Sequence, residues 1–233
     1  MKCGKFEFVY LTARNVELGK AAVAKLNSEE TSKCIFHQLD VTDASSIEKL
    51  HQFIGNFSKS AYFFEKGQFL KKFQVEKHSG FDVLVQNAGF AFKGSSTEPR
   101  NVQTRETFKI NVWGLLNVMK KFYPIIKENG RIVNMSSFVS QMTEYGLVII
   151  YKSLIYLISY LLYTIFRFTP KWGHPMQKQI GQLNKDLTLE KLEEVARKYE
   201  SDCDAGKDEK EGWPQTSYGM SKLFVNAITK VYG

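Results

Sequence analysis

The chain has 233 residues, 43% of them hydrophobic and 24% charged, enough to bury one sizeable core in a single domain and too apolar for a disordered chain. Its net charge of +8 is spread along the sequence rather than gathered in a basic stripe with aromatics, so no nucleic-acid partner is expected, and an anionic cofactor or plain solubility accounts for the excess. Cys3, Cys34 and Cys203 are odd in number and far apart, which fits reduced cytosolic thiols better than a disulfide framework, and His37, His51, His78 and His174 lack metal-ligand spacing, so no metal is expected. The opening stretch MKCGKFEFVYLTAR has no apolar run or small-residue cleavage site of a secretory signal.

In chain order, Phe8–Thr12 reads as a strand and Val16–Asn27 as a helix, followed by a second strand at Ile35–Leu39. Ser45-Ser-Ile-Glu48 has the spacing of a capping box and predicts a helix running towards Phe57. Asp82–Val85 is a third short apolar strand, ending in Gln86-Asn87-Ala88-Gly89; a helix is expected from about Thr107 to Tyr123, and a fourth strand at Arg131–Met135 ends in Ser136-Ser137. Thr188–Lys198 reads as an amphipathic helix. Short strands alternating with longer helices predict an α/β fold with a Rossmann-like, doubly wound parallel sheet and helices on both faces. In such sheets ligands bind at the carboxyl ends of the strands, where Arg14, Asp40, Asn87 and Ser137 fall.

Near the C-terminus, Tyr218-Gly-Met-Ser-Lys222 places a phenol and an ammonium four residues apart on a helix, and so on one face. A phenol of ordinary pKa about 10 becomes a usable proton donor near neutrality when a cation and a hydrogen bond stabilise its ionised form. Carbonyl reduction needs such a donor, and alcohol oxidation needs the same group as proton acceptor. Taken alone the pair would read as a solvated surface pair, so the preceding segments carry the argument.

Those segments are Leu11-Thr-Ala-Arg14, Phe36–Asp40, Asp82–Val85, Asn87-Ala-Gly89 with Ala91-Phe-Lys93, Asn111-Val-Trp-Gly114, Gly130–Ser137, and Glu211-Gly-Trp-Pro214 leading to Tyr218 and Lys222. In order and register, the chain resembles the short-chain dehydrogenase/reductase superfamily and, within it, is similar to the NADPH-dependent carbonyl reductases. The resemblance implies reduction of aldehydes, ketones or quinones. Tyr218 would act as proton donor, Lys222 would lower its pKa and hold the nicotinamide ribose, and Ser137 would hydrogen-bond the substrate oxygen, with Ser136 the structural neighbour. Asn111 matches a helix-borne asparagine that supports the lysine through a water. Arg14 stands where an acid would bind a 2′-hydroxyl; an arginine suits a 2′-phosphate, so the cofactor expected is NADPH. Asp40 and Val41 match positions around the adenine, and Asn87 the position beside the adenosine ribose.

Four departures accompany the match. The family's first strand, central in its sheet, and the glycine-rich turn after it have no counterpart, and the sequence stops within the Tyr218 helix, so a single domain truncated at both ends is expected. Inserts occupy residues 57–79 and 146–172, the second an apolar helical insert; its core, Leu147 to Phe168, is long enough to span a bilayer. One crossing would separate Ser137 from Tyr218, so spanning is disfavoured, and the segment is expected on the protein or in a membrane interface. Translated intron would account for all four departures at once. The helix at Thr188–Lys198 matches an insertion that covers the family's oligomer surface, which implies a monomer. A different reading stays open: an inactive, truncated reductase fold serving as an interaction or membrane-associated protein.

Overall fold

The computed structural model describes residues 8–28, 33–57, 64–65, 68–69, 80–140 and 187–232. They divide into two compact units, one formed by Met1–Ala88 with Trp113–Val133, the other by Gly89–Val112 with Asn134–Gly233.

The first unit opens with β1 (Phe8–Ala13), α1 (Val16–Ser28) and β2 (Lys33–Gln38). β1 and β2 pair in parallel, from Phe8↔Lys33 to Ala13↔Gln38, and Leu39 N–H extends the ladder by donating to Ala13 O at 3.1 Å. A parallel pair requires a crossover, which α1 supplies. Asn15 Oδ1 starts this helix by accepting from Leu18 N–H at 2.9 Å, and Asn27 ties its end to β2 through both backbone groups of Cys34, at 3.1 and 2.9 Å. Gly19 is required by close approach, because a Cβ there would run into the Phe36 ring.

Next comes α2 (Ala44–Phe57). Its cap is Asp43 and not the expected box at Ser45–Glu48: the Asp43 carboxylate accepts from the Ser45 N–H at 2.8 Å and the Ser45 hydroxyl at 3.0 Å. A charged acceptor at a helix N-terminus outcompetes a hydroxyl, and Glu48 turns instead to Lys121 at 2.5 Å and Gln52 at 3.0 Å. The short strands β3 (Phe64–Glu65) and β4 (Gln68–Phe69) pair antiparallel. β5 (Phe81–Gln86) pairs with β6 (Ile126–Asn134). Among the described residues the strands thus form three two-stranded sheets, with the β1–β2 and β5–β6 ladders separate. Ile47 and Leu50 of α2 meet Val118 and Phe122 of α4 (Leu115–Phe122), with Leu39, Val41, Phe81 and Leu84 packed around them. Burying each such side chain contributes about 1.5–3 kcal/mol.

A single helix over Thr107–Tyr123 was expected. The structure instead has α3 (Arg100–Phe108), a π-helical segment at Lys109–Gly114, then α4 and a 3₁₀ turn at Tyr123–Ile125. Pro99 opens α3 with φ −57° and ψ 150°; its first residues, Arg100-Asn-Val-Gln-Thr-Arg-Glu106, are too polar to show an apolar period.

In the second unit Thr188 caps α5 (Leu189–Asp204), accepting from Lys191 N–H at 3.3 Å, and the helix runs past the expected Lys198. It buries Leu192, Ala196, Tyr199 and Cys203, a stripe spaced four, three and four. Tyr199 meets Phe108 at 5.0 Å and Trp213 at 5.1 Å between ring centroids, and Phe108 meets Phe224 edge-on at 5.4 Å. Burial pushes the Cys203 thiol pKa up, because removal from water penalises the thiolate. Thr216 caps the final helix, α6 (Ser217–Tyr232), accepting from Gly219 N–H at 3.0 Å. The apolar stretch Leu147 to Phe168 lies outside the described residues, among which no helix is long and apolar enough to cross a membrane.

Candidate functional site

Tyr218 and Lys222 lie one turn apart on α6, near its capped N-terminus. The Lys222 ammonium sits 5.7 Å from the centroid of the Tyr218 ring, within the range of a cation over an aromatic face. Its Nζ also donates to the Met135 carbonyl at 2.6 Å. Lys222 is 5% exposed, and burial lowers its pKa, because removing an ammonium from water penalises its charged form.

The segment Met135-Ser-Ser137 follows β6 directly, and its two serines differ in what they touch. Ser136 Oγ donates to the backbone carbonyl of Lys222 at 3.2 Å, whereas Ser137 Oγ accepts a long 3.4 Å bond from Val139 N–H. Ser136 therefore ties the strand end to the lysine turn.

Asn111 lies on the π-helical segment and is 1% exposed. Such one-turn π segments recur at functional sites because they redirect a side chain out of the α-helical register. Its Oδ1 accepts from Phe90 N–H at 2.7 Å; its Nδ2 donates to Phe90 O and Ser221 Oγ, both at 2.9 Å. Ser221 in turn donates to the Tyr218 carbonyl at 2.8 Å. Asn111 thus joins the turn after Asn87-Ala-Gly89 to the helix carrying Tyr218 and Lys222. A cavity of about 220 Å³ opens beside Tyr218, lined by Phe92, Lys93, Ser96, Gln103 and Thr107 among others. Sequence reasoning had no signal for the Met135 and Phe90 backbone contacts, since both are made by groups every residue carries.

The other expected residues belong to the first unit. Arg14 and Asp40 follow the carboxyl ends of the paired strands β1 and β2, and Arg14 is exposed. Two hydrogen bonds to Asp40 Oδ1, from Thr42 N–H at 2.9 Å and Thr42 Oγ1 at 2.7 Å, lower the Asp40 pKa, helped by the Arg14 charge. Val41 packs on Gly114, where a Cβ would approach the Val41 Cγ2 to 2.8 Å. Asn87 is exposed immediately past β5. A cation, a carboxylate and an amide at strand ends suit a phosphorylated ribose and a base.

Comparison with known proteins gives these placements a context. Residues 68–155 match a family model described as enoyl-(acyl carrier protein) reductase. The chain is 33% identical over 224 residues to carbonyl reductase [NADPH] 1 of Bos taurus and, with the same identity, of Homo sapiens, covering 96% of this chain and 64% of each relative. It thus spans a little under two thirds of these relatives' length. Salutaridine reductase from Papaver somniferum superposes with a TM-score of 0.63 at 22% identity, over 94% of this chain and 71% of that one. Menthone neomenthol reductase from Mentha piperita does so with 0.57 at 23%, over 94% and 74%. At these identities the structures establish a Rossmann-like α/β fold. Over nearly its whole length the chain is similar to carbonyl reductases whose names specify NADPH, and it shares the fold of the two plant reductases.

Proposed function

We propose that this protein reduces carbonyl groups of aldehydes, ketones or quinones with NADPH. The observation that carries the reading is the Tyr218–Lys222 pair: a buried ammonium 5.7 Å from the tyrosine ring, one helical turn away, in a chain 33% identical to carbonyl reductases. Tyr218 donates its phenolic proton to the carbonyl oxygen, and the adjacent cation stabilises the phenolate left behind. Ser137 hydrogen-bonds the same oxygen as negative charge develops on it. Ser136 and Asn111 position this group, the first through the Lys222 carbonyl and the second through Ser221.

The residue types suit NADPH in each unit taken by itself. In the first unit Arg14 would hold the 2′-phosphate, Asp40 and Val41 would serve the adenine and Asn87 the adenosine ribose; in the second Lys222 would bind the nicotinamide ribose hydroxyls. When bound, the cofactor supplies the hydride for the carbonyl carbon. The protein works in the cytoplasm as a monomer, on a small-molecule substrate, without metal.

The test is a titration of the purified protein with NADPH and NADH, followed by quinone-dependent NADPH oxidation in the wild type and in Tyr218→Phe. Saturable binding that favours NADPH, with turnover lost in the variant, is expected. Retained turnover in Tyr218→Phe would sink the proton-donor assignment, and absence of binding by folded protein would favour the inactive-fold reading.

A further inference from the structure

Arg100, at the start of α3, belongs to none of the groups assigned above, yet its guanidinium joins three parts of the second unit. One nitrogen, Nη2, donates to the Pro214 carbonyl at 2.7 Å and to the Tyr199 hydroxyl at 3.1 Å. Nε lies 3.7 Å from Asp208 Oδ2 and, although buried, makes no hydrogen bond. Pro214 stands two residues before Thr216, which caps α6, and four before Tyr218. Other contacts brace the same segment. Trp213 Nε1 donates to Asp202 Oδ2 at 2.7 Å, Trp213 N–H donates to Asp208 O at 2.8 Å, and Thr104 Oγ1 hydrogen-bonds Ser217 Oγ at 2.9 Å. Arg100 and Tyr218 also line the same cavity.

We propose that Arg100 is a positioning residue: by holding the Pro214 carbonyl and the Tyr199 hydroxyl it sets where the chain enters α6, and so where Tyr218 stands relative to a substrate in the cavity. A guanidinium suits this role because its donors point in fixed directions in one plane, whereas the three donors of a lysine rotate on a flexible stem. The proposal rests on the reductase reading for its effect on rate, but its structural half stands independently. A misplacement of about 1 Å at a proton donor can cost about a hundredfold in turnover.

Two variants test it. Arg100→Lys keeps the cation beside Asp208 and with it the fold, and Tyr199→Phe removes a single hydroxyl. In Arg100→Lys, kcat is expected to fall about tenfold or more, while KM and NADPH affinity stay within about twofold of wild type. Amide exchange across residues 213–220 should quicken in the same variant, with Tyr199→Phe showing smaller effects of the same sign. Wild-type kcat in Arg100→Lys, or an unchanged exchange pattern, would overturn the proposal. Should the wild type itself reduce no carbonyl, the reductase reading fails, and unchanged exchange in Arg100→Lys would still refute the structural half.

Discussion

Replacing Asn111 by alanine removes three hydrogen bonds, of 2.7, 2.9 and 2.9 Å, from a side chain that is 1% exposed. Phe90 then loses the partners of both its backbone groups. Because Phe90 is only half-buried, water can reach it in part, and each group costs about 1 kcal/mol. Ser221 keeps its 2.8 Å bond to the Tyr218 carbonyl and loses only a donor to its hydroxyl oxygen, a cost of about 0.5–1 kcal/mol. The sum is about 2.5–3 kcal/mol. In urea denaturation, with a slope of about 2–3 kcal/mol/M, the midpoint should drop by about 1 M while the slope stays constant. Asn111→Asp should be worse at neutral pH, since it keeps an acceptor for Phe90 N–H but turns a buried carboxylate on the Phe90 carbonyl and offers Ser221 no donor. A midpoint shift below about 0.2 M in Asn111→Ala, or an aspartate variant as stable as the alanine one, would show that the Asn111 bridge does not hold the Phe90 turn to α6.

Two further outcomes are expected. Arg14→Ala should weaken NADPH binding by about tenfold to a hundredfold, the worth of a charge-assisted bond to phosphate, and leave NADH binding within about twofold; equal losses for both cofactors would remove the 2′-phosphate role. Lys222 makes stability depend on alkaline pH. Its folded pKa lies below the ordinary value because of burial, so the folded state releases this proton first, and stability rises as pH climbs through the depressed value towards the unfolded one of about 10.4. Lys222→Met should lack that rise, so the gap between wild type and variant should change across this pH range, and parallel midpoint-versus-pH curves would contradict the burial of the ammonium.

Much of the architecture was legible because strand and helix periods are local. The strands expected at Phe8–Thr12 and Ile35–Leu39 are found at Phe8–Ala13 and Lys33–Gln38 and pair in parallel, which puts Arg14 and Asp40 past their carboxyl ends. The four-residue interval from Tyr218 to Lys222 likewise dictated a shared helix face, as any α-helix would. Where local chemistry offered two candidates, sequence chose wrongly: Asp43 and Ser45 can both cap a helix, and the carboxylate does so. The remaining decisions join residues far apart in the chain. Asn111 meets Ser221, Ser136 meets the Lys222 carbonyl, and Arg100 meets Tyr199 and Pro214. Sequence determined which side chains stand at strand ends and on one turn of α6, because covalent geometry alone sets those spacings. Tertiary structure decided which serine serves the lysine turn, what the asparagine holds and which arginine sets the entrance to α6, because a buried polar group takes whatever partner the fold brings within reach.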